Sequence, residues 1–326
     1  MTKPDHKTES GMPTFEGVLI KLVDTELPLS NSEIAALSLA SPEDEEVFAR
    51  YWLEAAETRK AQALGRMLEL AEEDPNLDFS PLYRVLLKDP LPPVRASAIP
   101  GLWETEDPAL IRKLIPLMEQ DPAVEVRAAA AQGLGKFVML AEHGKLRREM
   151  RDLLLEKLLA VFGNPEEADE VRRRALESVS YLACPEVRQA ILDSYESPDP
   201  FIRGSALFAA GRNLDPSWLD MLLDELSSDN PEHRYEAVVA CGEYEDELAV
   251  PQLIRLTGDA DVEIRMAAIA ALGKIGGVEA KNHLRDLTET DDEAVAEMAV
   301  QALNDMVTDD EIMDLLADEN GPVLGG

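Results

Sequence analysis

The sequence predicts an all-α fold, an α-solenoid of stacked helix pairs, from three observations. A phrase with an arginine-type start and an alanine three residues later recurs at Arg95, Arg127, Arg172, Arg203, Arg234, Arg265 and Ala296. The alanines are Ala98, Ala130, Ala175, Ala206, Ala237, Ala268 and Ala299. The last five starts are each 31 residues apart, and a fixed period of this size marks repeated supersecondary units. Composition agrees: 45% of the chain is apolar but only 5% aromatic, which suits thin helix layers better than one thick core.

Residues 1–14 are polar and read as a disordered tail without a secretory signal. Residues 15–58 read as an N-terminal helical cap. Between Phe15 and Ala40 irregular structure is expected, with a short helix from about Ser32. Ser41-Pro42-Glu43-Asp44-Glu45 is a strong helix start, combining a serine cap, a first-turn proline and carboxylates at the positive dipole end. The pattern through Phe48, Trp52, Leu64 and Met67 fits one long helix or two. Within it, the stretch from Thr58 to Leu64 is a degenerate copy of the phrase.

Residues 59–317 read as the solenoid, about seven to eight units. Helices between the phrases are expected at Leu82–Leu87, Ala109–Met118, Met150–Val161, Val187–Tyr195, Trp218–Leu226, Ala249–Leu256, Ala280–Leu287 and Asp310–Leu316. Breakers separate them: Asp89-Pro90, Asp107-Pro108, Asp121-Pro122, Asp199-Pro200, Asp215-Pro216 and Asn230-Pro231, each read as a cap followed by a first-turn proline. In each phrase helix, positions +3, +4 and +7 from the start share one face and should be buried. Alanine at +3 implies close helix contact. Glycine at +8 (Gly135, Gly211, Gly242, Gly273) reads as the exit from the helix. The spacing from Arg127 to Arg172 is 45 residues. The excess lies in Phe137–Gly163, expected as longer helices joined at His143-Gly144. Its basic stretch Lys145–Arg151 is either a docking spot or is neutralised by nearby carboxylates, and the second reading is favoured. Residues 318–326 read as a flexible tail.

Net charge is −34. Residues 171–326 hold 12 basic and 33 acidic side chains. Such a surface repels phosphate backbones, which argues against nucleic acid, and favours a basic partner or simple solvation. No apolar run approaches the ~20 residues that span a bilayer. The two cysteines, Cys184 and Cys241, are too far apart in the array to pair, and Cys241 falls on a buried face, which suits a reducing cytoplasmic setting.

The spacing Asp–(five residues)–Arg at Asp121/Arg127 and Asp259/Arg265, with Val-Arg-x-x-Ala-x-x-x-Leu-Gly, resembles the HEAT repeat. The short period is similar to the HEAT-like repeats of the phycobilisome lyase class. The resemblance implies a ladder of turn aspartates and arginines along the stack, and a concave surface lined by the phrase helices. An aspartate six residues ahead of the arginine is kept only at Asp89, Asp121 and Asp259, and the last unit has Ala296 in place of arginine. Positions +2, +5 and +9 should then face the groove. In the middle units these are Arg174, Glu177 and Tyr181; Ser205, Phe208 and Arg212; and Glu236, Val239 and Glu243. Arg174, Tyr181, Phe208, Arg212, Glu236 and Glu243 are the candidate partner-binding residues, because aromatic and arginine side chains anchor interfaces.

No catalytic, cofactor-binding or metal-ligating constellation is read from the sequence. The four histidines, His6, His143, His233 and His283, are scattered, and no histidine is followed by glutamate, unlike the similar arrays of deoxyhypusine hydroxylases. The acidity also argues against HEAT-like DNA glycosylases, which need a basic groove. The expected function is a non-catalytic scaffold or adaptor for a protein partner. The alternative is a phycobilin lyase-type enzyme or lyase subunit.

Overall fold

The computed structural model describes the backbone of residues 13–319 and the side chains of residues 13–306. Most of the two expected tails lies outside those residues. The chain divides into two units, Met1–Ser178 and Val179–Gly326. Among the described residues no helix is long and apolar enough to cross a membrane.

The first unit opens with α1 (Phe15–Val23), α2 (Asn31–Ala35), α3 (Pro42–Glu54) and α4 (Glu57–Glu73). The segment expected to be irregular therefore contains a regular helix, α1. Thr14, assigned to the tail, caps it by accepting from the Gly17 N–H at 3.2 Å, and the apolar spacing of Val18, Leu19 and Leu22 buries one face. Ser41 caps α3 with a reciprocal Ser41–Asp44 box. The chain breaks between α3 and α4, giving two helices. The degenerate phrase is real in α4, with Lys60 at the start position: Ala63, Leu64 and Met67, at +3, +4 and +7, are all buried.

Next come α5 (Ser80–Leu86), α6 (Pro92–Ala98), α7 (Ile111–Gln120), α8 (Val124–Glu142), α9 (Arg148–Phe162) and α10 (Asp169–Val179). The insertion is two long helices, α8 and α9, whose connection turns at Gly144 with φ 72°. Its basic stretch is largely paired: Lys145 lies 3.8 Å from Glu106, Arg148 3.6 Å and Arg151 3.4 Å from Asp152.

The second unit contains α11 (Pro185–Tyr195), α12 (Pro200–Asn213), α13 (Leu219–Glu225), α14 (Pro231–Tyr244), α15 (Val250–Leu256), α16 (Val262–Ile275), α17 (Gly277–Leu287) and α18 (Glu293–Glu319). A separate helix at Asp310–Leu316 does not form. The backbone of α18 runs on to Glu319, because neither proline nor glycine interrupts it. Asp199, Asp215 and Asn230 cap as expected, accepting from the N–H groups of Phe201, Ser217 and Glu232. Asp107 does so in the first unit. Asp89 and Asp121 do not cap. They close turns on Leu91 and Ala123, one residue before their helices begin, and leave one carboxylate oxygen for another partner.

All seven phrase alanines are fully buried. In the second unit, α12, α14, α16 and α18 pack side by side as an inner layer, and α11, α13, α15 and α17 each back one of them. The +8 glycines lie inside this inner layer, not at helix exits. A Cβ on Gly211 would stand 2.8 Å from that of Ala240, one on Gly242 3.1 Å from Ala271, and one on Gly273 2.8 Å from Ala302. Position +8 of each helix thus meets +6 of the next, and the closeness excludes a side chain. The exits come three residues later, at Leu214 (φ 54°), Glu245 (φ 52°) and Gly276 (φ 71°), all at positive φ and again 31 residues apart.

Candidate functional site

Two ladders run along the phrase helices. In the first, an arginine binds backward to its own turn and forward to the next unit's carboxylate. Arg95 donates to the carbonyl of Asp89 at 2.7 Å and, bidentately, to both oxygens of Asp121 at 2.7 and 2.8 Å. Arg127 donates to the carbonyl of Asp121 at 2.8 Å and to Glu167 at 2.7 and 3.0 Å. Lys60 begins the series with Asp89 at 3.0 Å, a carboxylate that also accepts from the Trp52 indole at 2.7 Å. In the second unit Arg234 donates to Ser228 O at 2.8 Å and to Asp259 at 3.1 and 3.2 Å. Arg203 pairs with Glu225 and lies over the Tyr195 ring at 4.4 Å.

Burial raises the pKa of Asp121, Glu167, Glu225 and Asp259, and donors overcome it. Hydrogen bonds from Arg95 to Asp121, from Arg127 to Glu167, and from Tyr195 and Arg203 to Glu225 hold these groups below the usual carboxylate range. Asp259 is lowered likewise by the Asp261 N–H and Arg234. Arg265 donates to the carbonyls of Asp259 and Ala260 and has no carboxylate partner among the described residues. The first ladder is therefore structural.

The second ladder uses position +9, on the side of the inner layer away from the outer helices. In the second unit the row is Tyr181, Arg212, Glu243, Lys274 and Asp305. The Arg212 guanidinium carbon lies 5.7 Å from the centre of the Tyr181 ring and 5.2 Å from that of Phe208. Lys274 reaches Glu243 at 2.6 Å. Both rings are half-buried while Arg212 is exposed, so the guanidinium is held between two aromatic faces and keeps its donors toward solvent.

Of the six candidate residues, the structure brings Tyr181, Phe208 and Arg212 into one cluster. Glu243 lies farther along the same row, and Glu236 is half-buried on α14. Arg174 belongs to the first unit, where Glu170 and Glu177 hold it at 2.9 Å each on its own helix. Two neighbours expected in the groove are not open. Glu177 is buried against Arg174, and Ser205 is buried on α12.

Sequence reasoning missed Phe201, an exposed ring seven residues before Phe208 on the same stripe. It also missed the ladder carboxylates Glu167 and Glu225. The signal for Phe201 was its helical phase with Phe208. For the two glutamates, an aspartate-only search at one offset could not find them.

A family model described as HEAT repeats matches residues 79–155 and 219–304, half of the chain. No curated protein matches. Among solved structures the chain is similar to the Escherichia coli protein YibA, at 16% identity over 93% of this chain and 99% of that one, with a TM-score of 0.43. It is similar to the complex of CpcE and CpcF of phycocyanin lyase from Nostoc sp. PCC7120, at 17% identity over 70% and 94%, with a TM-score of 0.44. It is also similar to Kap121p, at 14% identity over 95% of this chain and 40% of that one, with a TM-score of 0.43.

Proposed function

Because the chain belongs to the HEAT-repeat family, we propose that it is a non-catalytic scaffold that binds a protein partner through the inner face of its second unit. The observation that carries this reading is Arg212, exposed yet held between the rings of Tyr181 and Phe208. An arginine fixed in this way loses little side-chain freedom on binding, which is what an interface anchor requires. Phe201 extends the apolar part of the patch, and Glu236 and Glu243 add carboxylates on the next helix. With a net charge of −34, the partner surface is basic around a socket for Arg212. Residues 15–58 cap the array, and residues 59–317 form the scaffold itself. Cys184 and Cys241 form no disulfide with each other, which suits a reducing cytoplasm.

The test is affinity capture with the tagged full chain, identifying a stoichiometric partner and comparing its retention with that by Phe208→Ala and Arg212→Glu. Each substitution should weaken retention at least about tenfold, the lower range of an interface anchor. The outer-surface change Val278→Ala should leave it intact. Equal retention by all four proteins would remove this face as the binding surface.

A further inference from the structure

The inner layer of the first unit has an opening. The phrase helix α6 is 7 residues long, against 14 for each of α12, α14 and α16. Pro100 is the cause. It has no N–H to bond back into α6, so the regular α-helix ends at Ala98; Ile99 keeps α-helical angles (φ −66°, ψ −49°) and the chain continues as a 3-10 turn, Pro100–Leu102. Beside this turn lies a cavity of about 1060 Å³, lined by residues of α4, α5, α8 and the 99–107 segment. That is at the upper end of the roughly 300–1,000 Å³ usual for ligand sites, room for several residues of an extended chain.

Two aromatic residues mark the cavity. Tyr83 lines it with its ring against the backbone of Gly101, where a Cβ would stand 2.5 Å from ring carbon Cε2. The tyrosine is 1% exposed, and its buried hydroxyl has no hydrogen-bond partner among the described residues. Buried hydroxyls are almost always paired, so this donor points to a ligand acceptor. Trp103 stands at the mouth, 45% exposed, whereas Trp52 and Trp218 are 2% exposed. One cation already serves this indole: Lys136 Nζ lies 5.9 Å from the ring and donates to the Trp103 carbonyl.

The rim is acidic. Glu72, Asp78, Glu104, Glu106 and Asp107 border it, and the one basic residue there, Arg84, lies 3.9 Å from Asp107. Such a rim rejects anions and nucleic acid and draws in cations.

We propose that this opening binds an extended basic segment of a partner protein, with an arginine or lysine over the exposed face of Trp103 and a main-chain carbonyl accepting from the Tyr83 hydroxyl. Glu104 and Glu106 supply the complementary charge. The site is built from first-unit residues alone and does not depend on the Phe208–Arg212 cluster of the second unit.

The probe is a fluorescein-labelled octapeptide of alternating arginine and leucine, titrated against the full chain by anisotropy, with tryptophan emission followed using the unlabelled peptide. The peptide should bind and shift the emission to the blue. Trp103→Ala should abolish the shift, and Glu104→Lys/Glu106→Lys should weaken binding more than tenfold. Tyr83→Phe, which preserves the packing, should weaken it about two- to tenfold, the worth of one hydrogen bond. Charge reversal at Glu289 and Glu297 in the second unit should change it less than twofold, as should Phe208→Ala and Arg212→Glu. The proposal is overturned if the arginine peptide does not bind, if a glutamate–leucine peptide binds as well, or if Trp103→Ala and the Glu104/Glu106 reversal bind like the parent.

Discussion

In the second unit, four inner helices repeat at a constant 31 residues and meet through glycine on alanine. In the first unit the spacing varies, the phrase helix before Pro100 is short, and an insertion lengthens the phrase helix α8 and its neighbour α9. The constant register closes the layer, so only side chains project from it, and the +9 row becomes the available surface. The irregular register leaves a cavity with a buried, unpartnered tyrosine hydroxyl in its wall and an exposed tryptophan beside an acidic mouth. Uniform repeats make a face, and an irregular repeat makes a cavity.

Acid should act on both units at once and have the largest effect. Asp121 and Glu167 in the first unit, and Glu225 and Asp259 in the second, are held below their ordinary values when folded. Each contributes stability that is fully present above its unfolded value, near pH 4, and is lost as pH falls through its lower folded value. Denaturant melts should therefore show a steep loss of stability below about pH 4. An unchanged midpoint down to pH 2 would count against the ladder.

Removing single rungs should separate its interior from its end. Arg95→Ala leaves Asp121 buried without its bidentate partner, and the expected cost is about 3–5 kcal/mol. Arg265→Ala removes only bonds to backbone carbonyls and should cost about 1 kcal/mol. Chemical denaturation of both variants, with equal losses, would show that the forward carboxylate contributes nothing.

The fold was legible in the sequence because its constraint is local and repeated. A +3 side chain that must fit between two helices is alanine every time, and periodicity reveals it. The +8 glycines were legible as special positions but not as contacts, because helix exits and close helix packing both select glycine. Their true role needs the neighbouring +6 alanine, which only the stack brings near. Leu214 and Glu245 gave no signal as helix exits, since neither residue type favours the left-handed region. Glu167 and Glu225 escaped because one lies beyond the insertion and the other on an outer helix. Of the candidate site, the grouping of Tyr181, Phe208 and Arg212 followed from the repeat register together with the surface that the HEAT resemblance assigns to the phrase helices. The cavity beside Pro100 did not, because a space between helices leaves no residue pattern of its own.

Those two left-handed exits allow a smaller test of the regular unit. Leu214→Gly and Glu245→Gly should each stabilise the protein by about 1 kcal/mol, since glycine adopts this conformation without the Cβ penalty. Thermal melts would read the gain, and a loss at both sites would contradict a strained exit.

The contrast between a sealed layer and an open one rests on glycine-to-alanine contact, and a double-mutant cycle at Gly211 and Ala240 tests it most directly. Gly211→Ala, Ala240→Gly and the double variant are compared by denaturant unfolding. Gly211→Ala should destabilise although alanine is the better helix former. Ala240→Gly should recover much of that loss, with a coupling of about 1–2 kcal/mol. Additivity within about 0.5 kcal/mol, or a stabilising Gly211→Ala, would contradict the account.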